Sequence, residues 1–259
     1  MTTMTDMTEP TDRYRAPALD KGLDILELLA EQPQGLTRGE IVKAMGRSPS
    51  EIYRMLERLV ARHYVTRSLE GDRYALSLKL FVLGHRHPPL QRLVNRALPA
   101  MDIFARTAEQ SCHLGVYDRG NVIVVAQVNG PANWGMSIRL GVKVSLVDTG
   151  SGHVLLACQS AQRRAEMLAE HEVLDGEVSM SETELTRLLD DVRRTGYWQG
   201  ASQQAEGITD ISMPVMSSQG EALAVLTCPF MRRIDRHVGA SIDTARELLR
   251  KAAEGLSLA

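Results

Sequence analysis

The apolar residues of the chain follow one rhythm and then another. Over residues 18–30 (ALDKGLDILELLA), Leu19, Leu23, Leu26 and Leu29 recur at the three-to-four-residue spacing of an amphipathic helix. Gln32-Pro33-Gln34-Gly35 ends it. Thr37, with Glu40 three residues on, has the form of a capping box for a short second helix. Ile41, Val42 and Met45 supply its apolar side, and Gly46 stops it. A third helix starts at Ser48 or Ser50, accommodates Pro49 in its first turn, and runs to about His63. The period then shortens to two. Tyr64-Val65-Thr66-Arg67 and Arg73-Tyr74-Ala75-Leu76 are strand candidates around the turn Glu70-Gly71-Asp72. Three helices followed by a tight hairpin predict a winged helix-turn-helix.

Residues 77–87 read as a helix that Pro88-Pro89 break, and 90–110 as a second amphipathic stretch joining two halves. From residue 112 the pattern is mostly strand. HLGVY and VIVVAQV flank the turn Asp118-Arg119-Gly120-Asn121, and residues 134–140 form a third strand after the loop Gly130-Pro131-Ala132-Asn133. Thr149-Gly150-Ser151-Gly152 leads into HVLLAC, a helix apolar on most sides and therefore buried. Residues 161–171 and 182–195 are surface helices, the second opened by the capping box Ser181/Glu184. Gly196-Tyr197-Trp198 returns to strand, residues 208–215 and 221–228 pair around 217–220, and 235–254 form a terminal helix. The second half is therefore α+β, with strands meeting through hairpins. The expected division is a disordered arm over 1–15, a winged helix-turn-helix domain over 16–77, linker helices over 78–98 and a second domain over 99–259.

Composition narrows the class. A hydrophobic share of 44% and a charged share of 24% in 259 residues exclude a wholly disordered chain and a collagen. No apolar run reaches the ~18 residues of a membrane span, and MTTMTDMTEPTDRYR lacks the apolar core of a secretory signal. Cys112, Cys158 and Cys228 are too scattered for a disulfide framework or a CxxC site, so a reducing cytoplasm is expected. The net charge of −2 conceals an asymmetry: residues 13–90 carry 13 Lys+Arg against 9 Asp+Glu, and the remainder is acidic. The basic end is the one expected to meet nucleic acid.

The third helix sharpens that expectation. At about 100° per residue, Ile52, Met55, Leu56 and Leu59 face one way, while Ser50, Arg54, Glu57, Arg58 and Ala61 face the other. Guanidiniums and hydroxyls on an outward face suit a major groove, because arginine's fork donates two parallel bonds to guanine or phosphate. A solvated face of alternating charge is the plain alternative. The candidate DNA-contacting set is Thr37, Arg38, Ser48, Ser50, Glu51, Tyr53, Arg54, Arg58, Arg67 and Arg73, with Arg13 and Arg15 in the arm. Glu51 is open between pairing and a bond from cytosine; Glu57 is expected to pair with Arg54 or Arg58. Thr149-Gly150-Ser151-Gly152 is the candidate anion site, since the first N–H groups of a helix lack internal partners. An ordinary N-cap with glycines for packing is the alternative there.

APALDKGLDILELLAEQPQGLTRGEIVKAMG followed by SEIYRMLERLV resembles the winged helix of isocitrate-lyase-regulator-type (IclR-type) bacterial transcription factors. LPAMDIFARTAEQSCHLGVYDRGNVIVVAQV, SIRLGVKVSLVDTGSGHVLLA and RRTGYWQGASQQAEGITDISMPVMSSQGEALAVLT extend the resemblance over residues 15–255. It implies a GAF-like effector domain with an antiparallel sheet. It also implies a homodimer or dimer of dimers, double-stranded operator DNA with two related half-sites, and control of a catabolic operon by a small organic acid, with repression as the expected mode. It places Thr149, Gly150, Ser151 and Gly152 at the effector, with Trp134 and Met136 on one wall and Ser202, Ile211, Ser212 and Thr227 on the other. This chain departs from the family pattern at Glu51 (commonly Thr), Ser77 (Gly), Ser145 (Pro), His153 (Lys) and Gln203 (acidic).

No enzyme is expected, and no cofactor or metal. Cys112 and His113 are neighbours on a strand and point to opposite faces. The GxSxG pattern around Ser151 fails, because Thr149 and His153 stand where glycines belong. HExxH and P-loop motifs are absent. The competing reading is a ligand-binding signalling module whose winged helix makes protein contacts.

Overall fold

The computed structural model describes residues 16–68, 72–131, 133, 135–233 and 239–257. The arm with Arg13 and Arg15, the turn residues Glu70 and Gly71, and Trp134 lie outside them. The chain divides into two compact units, Met1–Pro88 and Pro89–Ala259.

The first unit contains α1 (Pro17–Ala30), β1 (Leu36–Thr37), α2 (Arg38–Met45), α3 (Pro49–Ala61), β2 (Val65–Arg67), β3 (Arg73–Leu76) and α4 (Lys79–His85). Thr37 caps α2 as its sequence predicts: Glu40 N–H donates to Thr37 Oγ1 at 3.3 Å and Thr37 N–H to the Glu40 carboxylate at 2.7 Å. Ile25, Leu26, Leu29, Ile41, Ile52, Leu56, Val65 and Tyr74 form one buried core. Burying each such side chain contributes about 1.5–3 kcal/mol, and this fixes the face of α3 that turns inward. The hairpin β2–β3 gains an unforeseen third strand, β1, which pairs Leu36 with Tyr74 and Thr37 with Arg73. Two residues are too few to display an alternation.

The second unit contains α5 (Pro88–Ala108), β4 (Cys112–Asp118), β5 (Asn121–Val128), β6 (Lys143–Val144), α6 (Gly150–Ala157), α7 (Ala161–Ala169), α8 (Glu182–Thr195), β7 (Trp198–Ala201), β8 (Ile208–Met216), β9 (Ala222–Met231) and α9 (Ile242–Leu256). Its six strands run in the order β6-β5-β4-β9-β8-β7, with every pairing antiparallel. One sheet face buries Cys112, Leu114, Ile211, Met213, Leu226 and Cys228 against α5 and α9. The other carries Val122 and Val225 under α6, α7 and α8. All eight residues of α6 are buried.

Three expectations need correction. Pro88 and Pro89 begin α5 rather than merely breaking a helix, since proline fits a first turn whose N–H groups have no partner anyway. Residues 135–140 form no strand; the short β6 lies beyond them. Met136, Leu140 and Val142 are all exposed, so the segment buries no alternating face that would hold it in a sheet. The last helix starts at Ile242, where Ser241 Oγ accepts from Thr244 N–H at 3.1 Å.

Candidate functional site

On α3, Ser48, Ser50, Tyr53, Arg54 and Arg58 are exposed. Among the described residues no ion pair engages Arg54 or Arg58, nor the neighbouring Arg47 and Arg62. Arg47 and Arg62 are absent from the sequence-derived set, although their charge and position beside the helix ends mark them. Arg38, at the start of α2, lies 5.7 Å from the Tyr53 ring centre. Glu51 is different. Its carboxylate accepts from Ser48 Oγ at 2.8 Å and Ser48 N–H at 3.3 Å, and pairs with Lys21 Nζ at 2.5 Å. Lys21 first, then Ser48, hold its pKa down to about 2. Glu51 is thus paired, but with Lys21 of α1 and not with an arginine of its own helix. Glu57 makes no ion pair with Arg54 or Arg58. It lies where its charge reaches Arg67 and Tyr74 of the hairpin.

The hairpin arginines are both engaged. Arg67 Nε donates to Asp72 at 2.6 Å and its guanidinium covers Tyr74. Arg73 donates to the Gly35 carbonyl at 2.8 Å and lies 3.6 Å from Glu40, so it braces β1 against α2.

In the second unit a cavity of about 150 Å³ opens at the first turn of α6. Met136, Thr149, Gly150, Ser151, Ser202 and Thr227 of the sequence-derived set line it. Ile211 does not. On β8 side chains alternate, so Ile211 faces α5 and α9 while Ser212 turns to the cavity side. Ser212 lies one layer below, bonded through its hydroxyl to Thr227 at 2.8 Å; Ser151 reaches the same Thr227 oxygen at 2.8 Å. Gly152 also stands outside the lining. A Cβ there would lie 2.1 Å from the Leu146 carbonyl oxygen, so its glycine is a packing requirement. At Gly150 a Cβ would meet Trp198 at 2.2 Å.

Sequence reasoning missed His113 and Asp210, both on the cavity. The alternation that separates Cys112 from His113 places His113 opposite Thr227 on β9, facing inward. It is 7% exposed, its Nδ1 has no hydrogen-bond partner, and burial pushes its pKa down to about 4. Asp210 pairs with Pro229 in the ladder. Burial raises its pKa, with the Ser202 hydroxyl acting the other way. His153, by contrast, is turned away: Nε2 bonds the Val147 carbonyl at 2.7 Å, and the ring meets Trp198 edge-on at 4.6 Å. Ser145, where the family pattern has proline, shapes the entry to α6. Its Oγ accepts from the N–H groups of Val147 and Asp148 at 3.1 and 3.3 Å, and Thr149 Oγ1 caps Gly152 at 3.2 Å.

A winged helix with a basic outward face, in a chain whose second domain holds a small, largely apolar cavity, has the build of a DNA-binding regulator. Comparison with known proteins supports this. Residues 90–258 match the family described as bacterial transcriptional regulator IclR C-terminal, and residues 18–68 match the IclR helix-turn-helix domain. The chain belongs to the IclR family of bacterial transcriptional regulators. It is 31% identical over 213 residues to the HTH-type transcriptional regulator KdgR of Escherichia coli, covering 81% of this chain and 80% of that protein. It is 26% identical to BhcR of Paracoccus denitrificans, covering 93% and 87%. An IclR homolog from Microbacterium hydrocarbonoxydans, solved in complex with 4-hydroxybenzoate, shares its fold with a TM-score of 0.76 at 22% identity, over 93% of this chain and 97% of that one. Among the described residues no helix is long and apolar enough to cross a membrane.

Proposed function

We propose that the protein is a repressor of a catabolic operon that binds operator DNA through α3 and releases it, or changes its grip, when a small organic acid enters the α6 cavity. Residues 16–77 read DNA, 78–98 link, and 99–259 bind the effector. The observation that carries the DNA reading is the outward face of α3. Among the described residues Arg54 and Arg58 stand there without an ion pair, while the acidic Glu51 on the same helix is neutralised by Lys21. The face is thereby left net positive towards phosphate and guanine.

The exposed apolar side chains of α4 and the residue before it support a homodimer. Leu78, Phe81, Val82 and Leu83 are 77%, 60%, 46% and 43% exposed, an apolar strip that a second copy would cover. Two α3 helices held by such a strip would read two half-sites. Ligand acts by population shift: it changes DNA affinity only as far as it binds the DNA-bound and free arrangements unequally. The catabolic role and acidic ligand are supported by the family resemblance and by the bound 4-hydroxybenzoate of the Microbacterium homolog.

Fluorescence anisotropy tests the reading. A fragment from upstream of the protein's own gene is titrated at several salt concentrations against a shuffled control. Selective binding is expected, with a log–log salt slope near −0.9 per phosphate contacted. A shallow slope on both fragments, together with failure of genome-wide selection, would favour a winged helix that contacts protein.

A further inference from the structure

We propose that the cavity takes its organic acid together with one proton, which Asp210 holds while the ligand carboxylate lies on the first turn of α6. This inference rests on the reading of the cavity as the effector site.

Among the described residues the lining contains no lysine or arginine, and its titratable side chains are His113 and Asp210. An anion must therefore be held by neutral donors. The N–H groups of Gly150 and Ser151 belong to the first turn of α6, where no preceding turn accepts from them, and both residues line the cavity. The Ser151 and Thr227 hydroxyls stand beside them. A second observation points to the same ligand. The imidazole of His113 is buried to 7% exposure on this wall, with Nδ1 unpartnered, and an incoming polar group would satisfy it.

The difficulty for an anion is Asp210. Among the described residues, nothing else on the cavity offers a charge to balance. From β4 it is faced by His113 alone. From β9 come Thr227 and Pro229, with the buried Cys228 thiol, which burial keeps neutral, also within reach of its charge; from α6 come only hydroxyls and glycine. The 136–144 and 202–205 segments contribute apolar, hydroxyl and amide groups. Asp148 is reached only through Gln204, 3.4 Å from its Oδ2, and His153 is committed to Val147. Two carboxylates inside about 150 Å³ cannot both stay ionised without a cation. Burial already biases Asp210 towards its neutral form, and the ligand's charge completes the shift. The protonated carboxyl then becomes a donor, so the obstacle turns into a contact. The proton comes from solvent, and no covalent bond changes.

The test uses the full chain and a panel of acetate, propanoate, pyruvate, lactate and butyrate, with propylammonium as the cationic probe. Calorimetry is run between about pH 6 and about pH 8, in two buffers of different ionisation enthalpy. Expected are binding of at least one acid, a Kd rising about tenfold per pH unit, and uptake of about one proton from the buffer. Asp210→Asn is expected to bind the same acid with no slope and no uptake, because the amide mimics the protonated carboxyl. Asp210→Ser, which removes the titrating group differently, is expected to lose the slope as well. Absence of uptake in the unaltered protein, a slope that survives Asp210→Asn, binding of none of the acids, or preference for propylammonium would each overturn the proposal. Operator binding is followed in parallel. An acid that binds with a proton but leaves DNA affinity unchanged would sink the effector reading and leave the proton-linked site standing.

Discussion

Lys21 on α1 grips Glu51 on α3 at 2.5 Å, so the carboxylate at the head of the recognition helix is bonded within its own domain. On the proposed reading of α3, Glu51 is expected to orient the helix rather than to read a base. Glu51→Gln is expected to lower affinity by a similar factor for every single-base variant of the operator, as measured by anisotropy. A loss confined to sites with one particular base pair would show direct reading. The pH sense follows from its lowered pKa, about 2 against an ordinary 4.5. The stabilisation is complete above about pH 4.5 and disappears as pH falls through about 2.

Arg54→Ala is expected to weaken operator binding about 10- to 100-fold, the worth of one good arginine contact. If Arg54 meets phosphate, the salt slope also falls by about one. Calorimetry with the effector should be unchanged. Loss of ligand binding in the same variant would contradict the separation of the two tasks.

Ser151→Leu and Gly152→Ala separate cavity from scaffold on adjacent positions. The leucine projects into the cavity, so operator binding is expected to survive while ligand no longer shifts it. The alanine meets a backbone carbonyl instead. It is expected to cost about 1–3 kcal/mol, read as a lower urea midpoint, before any effect on ligand is seen.

His113 gives the second domain an acid sensitivity. Its folded pKa of about 4 lies below the ordinary 6.5, so between these values the unfolded chain binds the extra proton. Stability is full above about pH 6.5 and declines by up to about 3 kcal/mol as pH falls to about 4. Urea unfolding across that range should show the decline, and His113→Gln should flatten it.

Phe81→Glu is expected to split the proposed dimer, because a carboxylate in the apolar strip would have no partner in a second copy. Sedimentation would show monomers, and operator affinity would fall with the loss of the second half-site. An unchanged sedimentation coefficient would exclude α4 from the interface.

Much of this fold is written in its periodicities. Leu26 and Leu29 on α1, and Ile52 and Leu56 on α3, repeat at helical spacing and all lie in one core. The cap at Thr37 and the buried character of α6 are equally plain. What misleads is a pattern without burial: residues 135–140 look like a strand, but no neighbouring face covers them. In the cavity, Thr149, Gly150 and Ser151 were legible because a helix start is a local feature. Ile211 and Ser212 could not both face it, since a strand turns adjacent side chains apart. His113 and Asp210 were hidden for a different reason: β4 and β8 meet only through β9, and no local spacing relates them.

The hydroxyls of Ser151, Thr227 and Ser212 share two hydrogen bonds among three protons. Such a row has a direction. Ser212 is fully buried, and among the described residues its hydroxyl meets only Thr227, so a proton pointing away from Thr227 would be stranded. The favourable order runs from Ser212 to Thr227 to Ser151, and the spare O–H emerges at the cavity wall. The floor of the cavity is thus polarised from beneath, by a serine that does not line it, and it offers a hydrogen where an oxygen would otherwise have been equally at home.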